Sequence, residues 1–212
     1  MTIKKIVALS TAIAASALAG VLTFGPPAGA HEAQFKATMR TPSGESVGTV
    51  KFRVSHHAMY VVARLRLPEG EGLDRNAFHG FHIHANNVGD ENGCKADPDA
   101  ESTTWFVSAD GHLSDPGINH GAHKGDLPSP LVMADGTVLL KFSTDRIKPA
   151  DLRGRAVILH AKPDNFNNIP VGSGPTQYTP NDQTAALDLT NRTGNAGDRV
   201  ACGVIKSTGW RS

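Results

Sequence analysis

Neither sign of charge dominates this sequence. Its 21 Lys and Arg face 20 Asp and Glu across 212 residues. Composition therefore gives no support for nucleic-acid binding or for a polybasic membrane contact, and any electrostatic guidance of a ligand has to be local. No stretch shows a sustained 3.6-residue apolar period, which argues against a helical fold, and no internal repeat occurs. Aromatic residues are few, at 6%. Cysteine is nearly absent, with only Cys94 and Cys202. No Arg-Arg pair precedes the N-terminal apolar run, which points to the general secretory route. No Cys lies near the end of that run, which excludes a lipid anchor there.

The N-terminal segment has the layout of an export signal. Lys4 and Lys5 are followed by an Ala-rich apolar stretch from Ile6 to about Phe24, and Ala28-Gly29-Ala30 fits a small-residue cleavage site. Residues 1–30 are read as a signal peptide and 31–212 as one mature domain, with no membrane anchor after cleavage. Removing the segment takes away two positive charges and leaves a formal charge of −1. The protein is then expected in a secreted, periplasmic or cell-envelope location. In that setting two distant cysteines read as one disulfide rather than two buried thiols.

The mature chain shows the two-residue period of half-buried strands. Val50, Phe52 and Val54 alternate with Lys51 and Arg53, and Val61, Ala63, Leu65 and Leu67 with Arg64 and Arg66. Val138, Leu140 and Phe142 follow the turn signal Asp135-Gly136, and Thr41 to Gly44 is another turn. Ala156 to Ala161 and Arg199 to Ile205 are short apolar runs rich in β-branched residues. The pattern predicts an all-β protein, an antiparallel β-sandwich or barrel. Two long segments, about 86–130 and 162–198, lack it and are rich in Gly, Pro, Asn and Asp. Loops this long in a compact domain are usually functional or disordered.

Ten histidines stand out against this background, most of them near those loops. On a strand His82 and His84 would project to the same face, a spacing that suits either one metal ion or two hydrogen-bonded rings. His112, His120, His123 and Asp126 lie within fifteen residues, and His160 ends an apolar run. Imidazole is the common nitrogen ligand of copper and zinc, and a carboxylate completes many zinc sites. His56 and His57 are read as a solvated turn. His31 would become the new N-terminus after cleavage.

Taken in order, "GFHIH", "NGC", "GH" with a following "HxGD", "ILHAKPDN" and "TGNAGDRVACGVI" resemble a secreted bacterial copper,zinc superoxide dismutase over essentially residues 31–206. That family is itself a standard example of sandwich architecture and of electrostatic steering of a charged substrate. The resemblance implies a Greek-key sandwich or barrel of about eight strands with two long functional loops. It implies copper on His82, His84, His112 and His160, and zinc on His112, His120, His123 and Asp126. His112 would bridge the two metals and take part in catalysis. Asp164 would link ligands of both metals from outside, and Arg199 would receive the superoxide anion. Cys94 and Cys202 would form the family disulfide. His79 would brace the fold, and Thr193 would line the channel. Arg192 and Lys162 are further candidates for positive charge near Arg199.

Two departures stand out. Only Gly121 and Ala122 separate His120 from His123, a shortened zinc loop. If this link is held extended the two rings diverge and only copper binds. The second loop carries an insertion, "NNIPVGSGPTQYTPND", which could cover the channel, build a contact in a homodimer or stay a surface feature. The rival function is a copper-buffering protein without catalysis. Storage needs no anion site, so Arg199 and the "TGNAGDR" turn argue against it, and a purely structural sandwich would not need seven ligands.

Overall fold

The computed structural model describes residues 34–55, 58–70, 72–172, 174, 175, 177 and 186–209. The signal-peptide reading, His31, the His56-His57 turn and much of the insertion lie outside the described residues. Among the described residues nine strands occur: β1 (Phe35–Arg40), β2 (Ser46–Ser55), β3 (Ala58–Arg66), β4 (Ala77–Phe78), β5 (Phe81–His84), β6 (Leu131–Val132), β7 (Thr137–Thr144), β8 (Ala156–His160) and β9 (Arg199–Ser207). A helix, α1 (Ala186–Thr193), precedes β9.

Seven strands form one curled antiparallel sheet in the order β5-β8-β9-β1-β2-β3-β7. β5 and β7 are its two edges. β4 leads into β5 and β6 leads into β7, and these two short strands pair with each other. Both chain segments that enter the edges are thereby tied together. The alternating residues behave as their period predicts. Val50, Phe52, Val61, Ala63, Leu65 and Val138 enter the main buried core, while Lys51, Arg64 and Arg66 are exposed.

The continuous apolar runs have a different cause. Every residue of β8 is buried. Val157 and Leu159 face the main core, whereas Ala156 and Ile158 pack with Cys202, Phe106 and Ala109 in a second buried cluster. The first long loop therefore covers the outer face of β8 and β9, and a strand buried on both faces loses its polar alternation. Three short 3-10 turns shape this loop. The Cys94–Cys202 disulfide fastens it to β9, with a Cα–Cα distance of 5.4 Å.

The helix is a departure from the sequence reading. α1 has only eight residues, its Leu187 is exposed and its buried position is the polar Thr190. Two turns without an apolar stripe leave no periodic signal to detect. Gly194 follows it with a positive φ of +64°, and its N–H bonds the Thr190 carbonyl at 2.9 Å, closing the helix end. Among the described residues no helix is long and apolar enough to cross a membrane.

The disulfide closes a separation of 108 residues. Replacing both cysteines by Ser should lower unfolding free energy by about 2–5 kcal/mol. Chemical denaturation of the two proteins measures this, and coincident transitions would contradict it.

Candidate metal centre

The register of β5 brings the chelating segments together. His82 lies opposite Asp126 and His84 opposite His112 in isolated bridges on one side of the strand. On its other side β5 pairs with β8, which ends in His160. Ile83 N–H bonds Gly125 O and Leu113 N–H bonds Ile83 O, each at 2.8 Å. Strand pairing, rather than loop chance, thus sets the spacing of four rings. The His82 and His84 ring centroids are 6.3 Å apart.

In five of the rings one nitrogen is committed to an oxygen acceptor, which fixes the tautomer. His84 Nδ1–H donates to Asp110 O (2.8 Å), and His160 Nδ1–H to Gly197 O (3.0 Å). His82 Nε2–H donates to Asp164 Oδ2 (2.6 Å), and His120 Nε2–H to Asp164 Oδ1 (2.7 Å). His123 Nε2–H donates to Ile118 O (3.0 Å). The opposite nitrogens of these rings converge. His84 Nε2 and His160 Nε2 face each other at 3.3 Å. His82 Nδ1 and His112 Nε2 are buried without any hydrogen-bond partner. Two acceptors cannot bond each other, so this geometry calls for a cation between them. His82, His84, His112 and His160 can hold one ion.

A second convergence lies on the far side of His112. Its Nδ1 is 3.3 Å from Nδ1 of both His120 and His123, and 3.1 Å from Asp126 Oδ1. Asp126 Oδ1 is 3.1 Å from His120 Nδ1 and 3.3 Å from His123 Nδ1. A tetrahedron of ligands at zinc bond lengths has edges of about 3.3 Å, so the spacing fits zinc. His82 also comes close enough to join His112, His120 and Asp126 as a set of four. Its unpartnered Nδ1 already belongs to the all-imidazole set, however, so His123, whose Nδ1 is 3.3 Å from that of His112, is the better fourth donor. The short link is curled, not extended. Gly121 has φ +92° and Ala122 N–H bonds Asn119 O, which turns both rings inward. Asp126 Oδ2 accepts from the N–H groups of Gly121 and His123, locking the curl.

Burial holds His82 and His84 well below the usual imidazole range, with neighbouring rings adding to the effect, and brings His160 to about 3. Burial also lowers His120, but the carboxylates of Asp126 and Asp164 outweigh it and raise that ring to about 9. Asp126 is opposed by burial yet held well below the carboxylate range by His112 and His120.

A cleft of about 730 Å³ reaches one convergence only. His84, His112 and His160 line it together with Arg199 and Thr193. His120, His123 and Asp126 do not. Arg199 donates from Nη1 to Phe106 O and from Nη2 to Asp110 O (2.7 Å). Two of five guanidinium donors are accounted for by these bonds, and the rest remain for an anion. Lys162 also lines the cleft, but it is paired with Asp74 at 3.1 Å. Arg192 pairs with Asp188 and is not among the lining residues. Of the three cations expected near the cleft, Arg199 is the one that lines it without a carboxylate pair among the described residues. Asp198, beside it, accepts from Ser102 Oγ at 2.5 Å.

Several positioning residues had no signal in the sequence. Phe106 and Asp110 both have positive φ without being glycine, and their carbonyls grip Arg199. Asn167 Nδ2 bonds His120 O at 2.7 Å and Phe166 stacks on the His120 ring. At Gly194 a Cβ would collide with Asp164 Oδ1 and with the His120 ring, so only glycine fits. His79 sets its ring between two backbone carbonyls, those of His160 and Asp74, donates its one N–H to one of them, and serves as a brace.

Fold and site together define a histidine-rich metalloprotein on an antiparallel β-barrel, with one candidate cation position lining the cleft beside Arg199 and a second on the far side of His112. The family model "Copper/zinc superoxide dismutase (SODC)" matches residues 46–205. The chain belongs to that family. It is 38% identical over 181 residues to "Superoxide dismutase [Cu-Zn]" of Mycobacterium tuberculosis, covering 81% of this chain and 69% of the relative. A Deinococcus radiodurans protein of the same description is 31% identical, covering 81% and 84%. The solved structure of the clock protein EA4 is similar with a TM-score of 0.56 and 25% identity, over 83% of this chain and 96% of that one.

Two outcomes are expected. His123→Ala should lose zinc but keep copper, and zinc should no longer raise its melting temperature. Elemental analysis and a thermal scan check both, and unchanged zinc content would remove His123 from the site. The metal-free protein should lose stability as pH falls from about 6.5 toward about 3. In that window folded His82, His84 and His160 stay neutral while their unfolded counterparts bind protons, and His120, raised to about 9, is protonated in both states, so acid favours unfolding. Urea midpoints across that range measure it, and a flat profile would contradict it.

Proposed function

We propose that the chain is a superoxide dismutase acting outside the cytoplasm, with copper on His82, His84, His112 and His160 and zinc on His112, His120, His123 and Asp126. It is an enzyme of the copper/zinc type, and copper and zinc are its cofactors. One observation carries the assignment of sites. Both sets of converging nitrogens share the His112 ring, and only the all-imidazole set opens to the cleft beside Arg199. A redox metal needs an open position, whereas a structural zinc site is closed and often includes a carboxylate. The export reading rests on the N-terminal layout and on the disulfide.

Bound copper supplies the one-electron chemistry by which two superoxide anions and two protons become O₂ and H₂O₂. The residues do the rest. Arg199, clamped by two carbonyls, offers its remaining N–H groups to the anion at the floor of the cleft. His112 Nε2 is the buried atom that can hold a proton for the reduced oxygen species. Asp164 orients one ring of each set, and the carbonyls of Asp110 and Gly197 orient His84 and His160 of the copper set, which raises ligand basicity.

Arg199→Ala should retain copper and lose about tenfold or more in activity, together with much of its dependence on ionic strength. A cyanide-sensitive superoxide-scavenging assay on metal-loaded protein at low and high salt measures this. Full activity at low salt would exclude the anion-receiving role. No scavenging by the wild-type protein would leave copper storage as the function.

A further inference from the structure

The described strands carry nine of the chain's 21 cations and none of its 20 acids. Strand propensity does not explain this, since Lys is disfavoured in strands just as Asp and Glu are. Only Arg199 among the nine belongs to the cleft. The others project from the outer face of the curled sheet.

Their register forms a line. Lys206 lies opposite Lys36, Lys36 opposite Lys51, Lys51 opposite Val62, and Val62 opposite Lys141. This row crosses β9, β1, β2, β3 and β7, and at the usual strand spacing it is about 19 Å long. Arg64 stands two residues along from Val62. The inward neighbours Ala37, Val50, Phe52 and Ala63 are fully buried, so the cations face outward. Lys206 is paired with Glu91 at 2.6 Å. Among the described residues no carboxylate pairs with Lys36, Lys51, Arg64 or Lys141. Like charges directly opposite one another destabilise a sheet. Protection of exposed edges does not account for them either, because β1 and β2 are interior strands.

We propose that this face binds an extended, phosphate-bearing polyanion, a flexible chain laid across the strands along the lysine row. The charge is complementary and the row is linear. The face is the outer side of a curled sheet, which a flat membrane would touch only along a band. Leu139 is the one large exposed apolar residue described on those strands, so there is little to insert into lipid. Single-stranded nucleic acid would need aromatic platforms. The face offers Tyr60, which already lies beneath Arg53 at 5.4 Å. None of the row lines the cleft, so a bound chain leaves the metal centre open.

The test uses metal-loaded full-length mature protein and long-chain inorganic polyphosphate, with binding followed by calorimetry. Binding should weaken about tenfold or more between about 50 and 200 mM salt, as counterion release requires. The triple variant Lys36→Gln, Lys51→Gln, Lys141→Gln should bind about tenfold more weakly or worse. Its dismutase activity should be unchanged and its melting temperature equal or higher, because the opposed like charges are relieved. The matching triple Arg variant, which keeps the charge, should bind as the wild type does. Equal binding by the Gln variant overturns the proposal. So does tripolyphosphate competing as well as the long chain at equal phosphate. Binding to phosphatidylglycerol vesicles or to single-stranded DNA in place of polyphosphate also overturns it, by showing a different partner.

Discussion

The carboxylate of Asp164 spans the two halves of the metal centre. One oxygen takes the proton of His82 and the other takes that of His120. Each bond turns the opposite ring nitrogen into a lone pair aimed at its own convergence. The protein must hold several such lone pairs close together in a buried setting, an arrangement that is unfavourable until a cation neutralises it. The surrounding strands, the curled Gly121-Ala122 link and the close passage of Gly194 all serve to keep that arrangement from relaxing. Metal binding and folding are thereby coupled in one network.

A second chain of contacts runs from the disulfide to the anion site. Cys94–Cys202 anchors the first long loop on β9. That loop presents the carbonyls of Phe106 and Asp110 to Arg199. The Asp110 carbonyl is shared, since it also takes the proton of His84. One oxygen thus sets the position of the guanidinium that lines the cleft and the tautomer of an imidazole of the four-histidine set. The positive φ at residues 106 and 110 is the conformation that points these carbonyls inward, a strain of the kind found at functional sites and tolerated because the tethered loop leaves no alternative.

The near-neutral composition concealed a separation of charge. The described strands carry nine cations and no acid, so one face of the sheet is basic while the sum over the chain is close to zero. Electrostatics at the cleft is correspondingly local. Lys162 is neutralised by Asp74, and Asp198 stands next to Arg199 with its carboxylate held by Ser102. A single clamped guanidinium, rather than a broad field, stands beside the four-histidine set in the cleft.

Much of the fold and of the site was legible in the chain, for identifiable reasons. A two-residue apolar period marked β2, β3 and β7 because each has one face in the core. The ligand types were visible because metal chemistry demands imidazole and carboxylate, whatever the surroundings. The helix was not legible, because two turns with a buried Thr190 carry no apolar stripe. The two-residue strands β4 and β6 were too short to show a period. Which nitrogen of each ring is unprotonated was also beyond sequence. It depends on acceptors at Asp110, Ile118, Asp164 and Gly197, which reach the rings only through long-range pairing. Residue identity and spacing were enough to set which side chains could ligate and which strands could form. Where the lone pairs point and how the shortened zinc loop curls were settled only when distant segments met. The same holds for the four lysines that stand in one row, because register and tautomer are properties of contacts between parts of the chain, not of any one part.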